Sequence, residues 1–272
     1  MITFASLVLY KHKYDDVKLT IECLLNESSV SKVVIVDNGS HCKWLLEIVH
    51  PKLEVILNPD NNGFGAGHNE MIKKFKDRAD FILICNPDIS FEKGEVDKFI
   101  QFSAISDTGL SIPKIIYPDG SLQRSCKLLP SPLQLFLRRF LSRTSTSTNN
   151  VYELTDADYS RPFFAPSISG CFMLVSREAF STAGFFDTRY FMYLEDVDLS
   201  RRISSAGLNV RYCPYACIVH ESQRRSYQSR KFLIYHIKSA ISYFNKWGWF
   251  LDKERKRLNK KCLSELPRYK VD

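Results

Sequence analysis

The chain has 272 residues, 44% hydrophobic and 25% charged, an ordinary globular mix with length for one large α/β domain, alone or with an appendage. A formal net charge of +8 and a pI near 9.0 direct it toward anionic partners such as nucleic acid, sugar nucleotides or lipid phosphates. Eight scattered cysteines, with only Cys213 and Cys217 close together and no second Cys/His pair at zinc spacing, argue against a structural zinc site and for reduced core thiols.

Residues 2–10 form a β-rich apolar run, the pattern of a buried parallel strand. It falls far short of the ~20 apolar residues of a membrane span. The expected location is therefore cytoplasmic. Helical spacing at Val17, Ile21, Leu24 and Leu25 follows, then a strand over 32–36 that ends at Asp37-Asn38-Gly39-Ser40. A short helix over 44–49 and a strand over 53–57 come next. Asn61-Asn62-Gly63-Phe64-Gly65 opens a helix that runs to residue 75, and a strand over 81–85 ends at Asn86-Pro87-Asp88. Strands alternating with helices predict an α/β fold with a Rossmann-like, mostly parallel central sheet flanked by helices.

After residue 105 the rhythm changes. A strand over 110–116 meets the turn signal Tyr117-Pro118-Asp119-Gly120, and 133–141 suits a short amphipathic helix. Residues 142–150 are rich in Ser, Thr and Asn and read as a mobile loop whose polarity persists to 160. A strand over 169–176 enters a helix over 178–183. Between Gly184 and Gly207 lies an aromatic and acidic block, Tyr193-Leu194-Glu195-Asp196-Val197-Asp198-Leu199, followed by Arg201 and Arg202. Acidic residues suit the first turn of a helix, so a helix start near Glu195 is expected. Short strands over 208–213 and 216–220 and a helix over 232–244 complete the pattern. The expected division is a domain over 1–245, with a nucleotide-binding half at 1–105 and an acceptor-binding half at 106–245. A basic, helical tail follows over 246–272. Basic clusters fall at Arg138, Arg139 and Arg143, at Arg224, Arg225, Arg230 and Lys231, and along the tail. In the tail, Trp247, Trp249, Phe250 and Leu251 precede six cations between 253 and 261, a composition suited to peripheral contact with a membrane surface.

Ligands of open α/β sheets bind beyond the carboxyl ends of the strands, where Asp37 and Asp88 fall. The Asp37 carboxylate could bond a base or ribose; an Asn-Gly turn explains the same residues. Asp88 could carry a divalent cation bridging two phosphates, and a strand-ending Pro turn is its structural alternative. The Gly63–Asn69 loop could admit a diphosphate but has neither the GxGxxG pattern nor a P-loop lysine.

Together, Val36-Asp37-Asn38-Gly39-Ser40, Asn62-Gly63-Phe64-Gly65 with Asn69, Asn86-Pro87-Asp88, Ser169-Gly170-Cys171-Phe172-Met173-Leu174, and Gly184-Phe185-Phe186-Asp187 leading into Tyr193–Leu199 resemble the ordered motifs of the family 2 glycosyltransferases. The look is nearest their rhamnosyltransferase-like members and covers roughly residues 1–245. The resemblance implies a GT-A fold, a nucleotide-sugar donor and inversion at the anomeric carbon. It places Asp37, Asn38, Asn62, Gly63, Asn69, Asn86 and Asp88 on the donor, and Asp88 with His220 on Mg²⁺ or Mn²⁺. Asp196 becomes the catalytic base, supported by Glu195 and Asp198, and Gly170, Tyr193 and Arg201 face the acceptor. Asn86 departs from the more usual Asp and leaves the strength of metal dependence open. The reaction implied is transfer of L-rhamnose from dTDP-rhamnose to a polyprenyl-diphosphate-linked saccharide of O-antigen or another surface polysaccharide, at the inner face of the cell membrane. Galactosyl, galactofuranosyl or N-acetylglucosaminyl transfer fits the same motifs. A nucleotidyltransferase would want glycine after the first strand, where Tyr10-Lys11-His12-Lys13 has none. A non-catalytic basic RNA- or membrane-binding module explains the charge but not the carboxylates at the strand ends, and nucleic acid is not an expected partner.

Overall fold

The structure is a computed structural model that describes residues 1–105, 108–140, 147–222 and 230–269, without the side chains of 137–140 and 147–148. Its core is a nine-stranded sheet. The first four strands, β1 (Thr3–Leu9), β2 (Lys32–Asn38), β3 (Leu53–Asn58) and β4 (Phe81–Cys85), run parallel in the order β3-β2-β1-β4. Helices α1 (Lys18–Asn26) and α2 (Phe64–Phe75) return the chain between them. Val33 to Val36 and Phe81 to Cys85 are buried along their whole length, as strands covered on both faces require.

Beyond β4 the mostly parallel sheet becomes mixed, with antiparallel pairings interleaved among parallel ones. β5 (Ile89–Ser90), α3 (Glu95–Ser103) and β6 (Thr108–Ile116) follow, then β7 (Cys126–Lys127), α4 (Pro132–Phe140), α5 (Ser147–Tyr152), β8 (Phe163–Phe164) and β9 (Ser167–Ile168). β10 (Phe172–Ser176) inserts antiparallel between β4 and β6 and joins the two halves. α6 (Arg177–Ala183), capped by the Ser176 hydroxyl, leads to α7 (Glu195–Ser205), β11 (Asn209–His220), α8 (Arg230–Trp247) and α9 (Lys253–Glu265). The expected strands over 208–213 and 216–220 are one strand, β11, whose pairing with β6 shifts between Cys213 and Cys217. Pro214 lies in that shift and has no N–H to donate to the ladder. The expected strand over 169–176 begins only at Phe172, because Ser169 and Gly170 spend their N–H groups on Ser125 and on the Asp196 carboxylate. Part of the expected loop, Ser147–Tyr152, is helical; 141–146 lies outside the described residues.

The division expected at 245 falls inside the last turn of α8. α9 buries Leu258 and Cys262, and Asn259 exchanges two hydrogen bonds with the Leu129 backbone. The C-terminal segment therefore packs as part of the same core. All eight cysteines are unpaired, six of them buried, as core thiols should be.

Candidate active site

A cavity of about 450 Å³ opens where β1, β2 and β4 end. One wall is built by the pairing of β5 with β11, which sets His220 opposite Ile89. The Glu221 N–H donates to Asp88 O at 3.0 Å, so the two backbones lock Asp88 beside His220. The buried Thr20 hydroxyl fixes the Asn86-Pro87-Asp88 turn from behind, donating to Pro87 O at 2.7 Å and accepting the Ile89 N–H at 3.1 Å. Asp88 Oδ1 lies 3.2 Å from His220 Nε2, and His220 Nδ1 lies 3.0 Å from Gln123 Oε1. Burial opposes charge on this imidazole, but Cys171 and the Asp88 carboxylate on its flank outweigh it and raise its pKa to about 10.

An anionic oxygen and an imidazole nitrogen facing one cavity are a donor set for a divalent cation, with phosphate oxygens and water completing the shell. A cation between them would take the place of the shared proton. Gln123 accepts from Nδ1–H and so leaves Nε2 directed at the metal position. Among the described residues no group of three or more His, Cys, Asp or Glu surrounds a metal position, so a cation here depends on its substrate for ligands.

The opposite wall is the start of α7. Tyr193 and Leu194 both adopt left-handed conformations, φ 72° and 66°, a strained entry for two bulky residues of the kind concentrated at functional sites. The turn presents Tyr193, Glu195 and Asp196 to the cavity. Asp196 Oδ2 accepts the Gly170 N–H at 2.9 Å, and Oδ1 the Val197 N–H at 2.8 Å. Glu195 Oε2 is buried with no hydrogen-bond partner among the described residues. Burial raises the pKa of both carboxyls; the neighbouring Asp196 adds to the effect on Glu195, and the backbone donors restrain it on Asp196.

The remaining expected residues separate into cavity and scaffold. Asn38 and Gly63 line the cavity, and the Asn38 amide donates to Gly63 O at 3.0 Å. Gly63 has φ 101°, and a Cβ there would lie 2.2 Å from Phe191 O, so only glycine allows the loop to dock. Asn86 and Gly170 also line it. Asn61, not Asn62, faces the cavity: Asn62 is exposed beside it. Asn69 is a scaffold residue that pairs through both amide atoms with the Phe186 backbone. Asp37 is fully buried and accepts the Cys42 N–H at 2.7 Å through Oδ2, while Oδ1 has no partner among the described residues. Asp198 and Arg201 turn away from the cavity, contrary to the roles expected of them. Asp198 accepts from Arg202, Tyr190 and Trp247. Arg201 forms a buried two-point pair with Asp252 at 2.7 and 2.6 Å and stacks on Trp247. The reason is angular: at 100° per residue, position 198 sits about 200° around the helix from 196.

Tyr10, His12, Asp16, Asn61 and Gln123 also line the cavity and were not expected there. The Tyr10–Lys13 stretch follows the first strand, which is itself a signal for a ligand loop. Gln123 had none, being an isolated amide 97 positions from its partner.

The sequence matches the family model described as Glycosyl transferase family 2 over residues 7–184, and that described as Glycosyl transferase family group 2 over 135–257. It is 32% identical to the N-acetylglucosaminyl-diphospho-decaprenol L-rhamnosyltransferase of Mycobacterium tuberculosis (strain CDC 1551 / Oshkosh) over 213 residues, 72% of this chain and 68% of that protein. Identity to rhamnosyltransferase WbbL of Escherichia coli (strain K12) is 26% over 251 residues, 87% of this chain and 91% of that one. Among solved structures, GalNAc-T7 with UDP, GalNAc and Mn²⁺ superposes with a TM-score of 0.66 at 13% identity, covering 91% of this chain and 48% of that one. This likeness identifies the fold as GT-A.

Proposed function

The chain belongs to glycosyl transferase family 2 and is a glycosyltransferase, and we propose that it transfers L-rhamnose from dTDP-rhamnose to N-acetylglucosamine carried on a polyprenyl diphosphate, with inversion. The observation that carries this reading is the meeting, in one cavity, of a cation-binding pair and a buried carboxyl pair from opposite walls. The donor lies along the ends of β1, β2 and β4. Asp37 Oδ1, fully buried and without a hydrogen-bond partner among the described residues, is the group proposed to accept an N–H of the base. Asn38, Asn61 and Gly63 shape the same wall. Asp88 and His220 would hold Mg²⁺ or Mn²⁺, which when bound would neutralise charge developing on the leaving diphosphate.

The acceptor hydroxyl enters on the α7 side, past Tyr193. As its oxygen forms the bond to the anomeric carbon, the bond to the diphosphate oxygen breaks and the leaving group keeps that electron pair. The hydroxyl proton passes to Asp196. The Gly170 and Val197 N–H groups hold the Asp196 carboxylate in place, and Glu195 positions the acceptor.

The test is a donor screen. Purified full-length protein is given dTDP-rhamnose, UDP-galactose or UDP-N-acetylglucosamine with lipid-diphosphate-linked N-acetylglucosamine. Transfer from dTDP-rhamnose alone, divalent-cation-dependent and with inverted configuration by NMR, is expected. Transfer from a different donor reassigns the sugar, and retained configuration rejects the mechanism.

A further inference from the structure

We propose that the outer face of α8, with Phe250 and Leu251 just beyond its end, docks on an anionic lipid bilayer. The proposal rests on the lipid-linked acceptor of the preceding reading and says how such an acceptor meets the cavity.

The helix has two distinct faces. Ser239, Tyr243 and Phe244 are buried against the domain, and the rings of Tyr235 and His236 lie against Phe191 and Tyr193. Arg230, Ile234, Ile237, Lys238, Ile241 and Asn245 are exposed and recur at spacings of three and four, which is a single helical stripe. Its three isoleucines are 51%, 41% and 45% exposed, and Phe250 and Leu251 are 80% and 90% exposed. So much β-branched and aromatic surface facing water is unusual unless something covers it.

Charge selects the occupant. From Ser222 to Leu251 the sequence contains no Asp or Glu, and Lys231 and Lys238 flank the isoleucine stripe. Two copies of this face packed together would set those lysines against like charge. An anionic bilayer meets both demands: apolar side chains enter the acyl boundary and cations sit among the phosphates. Among the described residues no helix is long and apolar enough to cross a membrane, so the contact is lateral. α9 is not this surface. Its Leu258 and Cys262 are turned into the domain, so the side it presents outward is mainly charged. Phe232 of α8 lines the cavity, so the helix that meets lipid also borders the place where a lipid-linked acceptor must enter.

The experiment is co-sedimentation of the full chain with phosphatidylcholine vesicles, with and without phosphatidylglycerol, in the absence of any sugar donor or acceptor. It therefore reads docking even if the assigned reaction is wrong. Wild type should bind the anionic vesicles, less so at high salt. Combined Ile234→Ser, Ile237→Ser and Ile241→Ser should weaken binding about tenfold or more, with an unchanged melting temperature. Phe250→Ser with Leu251→Ser should act in the same direction. Lys231→Gln with Lys238→Gln should remove the preference for anionic lipid, whereas Lys256→Gln with Lys260→Gln on α9 should leave binding close to wild type. Equal binding by wild type and the isoleucine variant, or binding by neither, overturns the proposal. So does a wild-type dimer that the isoleucine variant converts to a monomer, which would give the face to a second copy.

Discussion

Burial lifts both the Glu195 and the Asp196 carboxyls above their ordinary range, and because the two adjoin they titrate as a pair. A base must be ionised to work. The acid limb of the kcat/KM profile should therefore lie above the ~4 of a free carboxylate, and Asp196→Asn should lower kcat about 10²–10⁴-fold while sparing donor binding. Near-normal turnover of that variant removes Asp196 from the role. The same burial has a consequence for stability. Glu195 has a folded pKa above its unfolded one, so folding loses stability as pH rises from the unfolded value through the raised one. At neutral pH this linkage opposes folding, and Glu195→Gln should raise Tm, at about 2–4 °C per kcal/mol for a chain of this size. That gain should vanish near pH 4, below which both forms are neutral. With the pKa of His220 raised to about 10, metal binding must displace the imidazole proton, so Mn²⁺ affinity measured by titration calorimetry should fall as pH falls. Gln123 holds the far nitrogen of that ring, and Gln123→Leu should weaken Mn²⁺ about 10–100-fold. Unchanged affinity would deny Gln123 a part in the site.

α7 carries the cavity-lining carboxyls, Glu195 and Asp196, on one side and its fastening on the other. Arg201 and Asp252 are both almost fully buried, with Trp247 stacked on the guanidinium 4.1 Å away. Asp198 is tied to Lys246 at 2.7 Å and to the Trp247 indole N–H. The end of α8 and the start of α9 thus hold the helix that presents Asp196. Asp252→Ala strands a buried guanidinium and uncaps α9, and should cost about 3–5 kcal/mol, seen as a lower midpoint in urea. A change under ~1 kcal/mol, the scale of an exposed pair, would mean the clamp is not structural. The acidic block announced this helix plainly, since Glu195, Asp196 and Asp198 all favour a first turn. Their division of labour was not legible, because period alone does not say which side of a helix meets a cavity.

At the scale of the molecule, the two halves are joined by β10 lying antiparallel between β4 and β6, and the chain from 246 onward closes the structure. A protein truncated after residue 245 loses Asp252, Leu258, Cys262 and the Asn259–Leu129 bonds together. It should fail to unfold cooperatively and should be cleaved rapidly by protease; a stable, cooperatively folded 1–245 fragment would refute this. The basic charge of that segment suggested an appendage. Its sparse buried positions, Arg255, Leu258 and Cys262, fall at helical spacing but among so many cations that the pattern is faint.

The order and type of the first strands and helices, the strand-end positions of Asp37 and Asp88, and the helix start at Glu195 were determined by the sequence itself. Each follows from local apolar period, turn chemistry or charge near a helix terminus, all of which act over a few residues. The family resemblance implied that Asp88 and His220 meet, but only the tertiary structure brings them within 3.2 Å, because the β5–β11 pairing joins positions far apart in the chain. The tertiary structure also decided that Asp198 and Arg201 face the core, that Asn61 replaces Asn62 in the cavity, and that Gln123 orients the histidine. These assignments depend on which face of each element meets a distant neighbour, a property of packing that no short stretch of sequence contains.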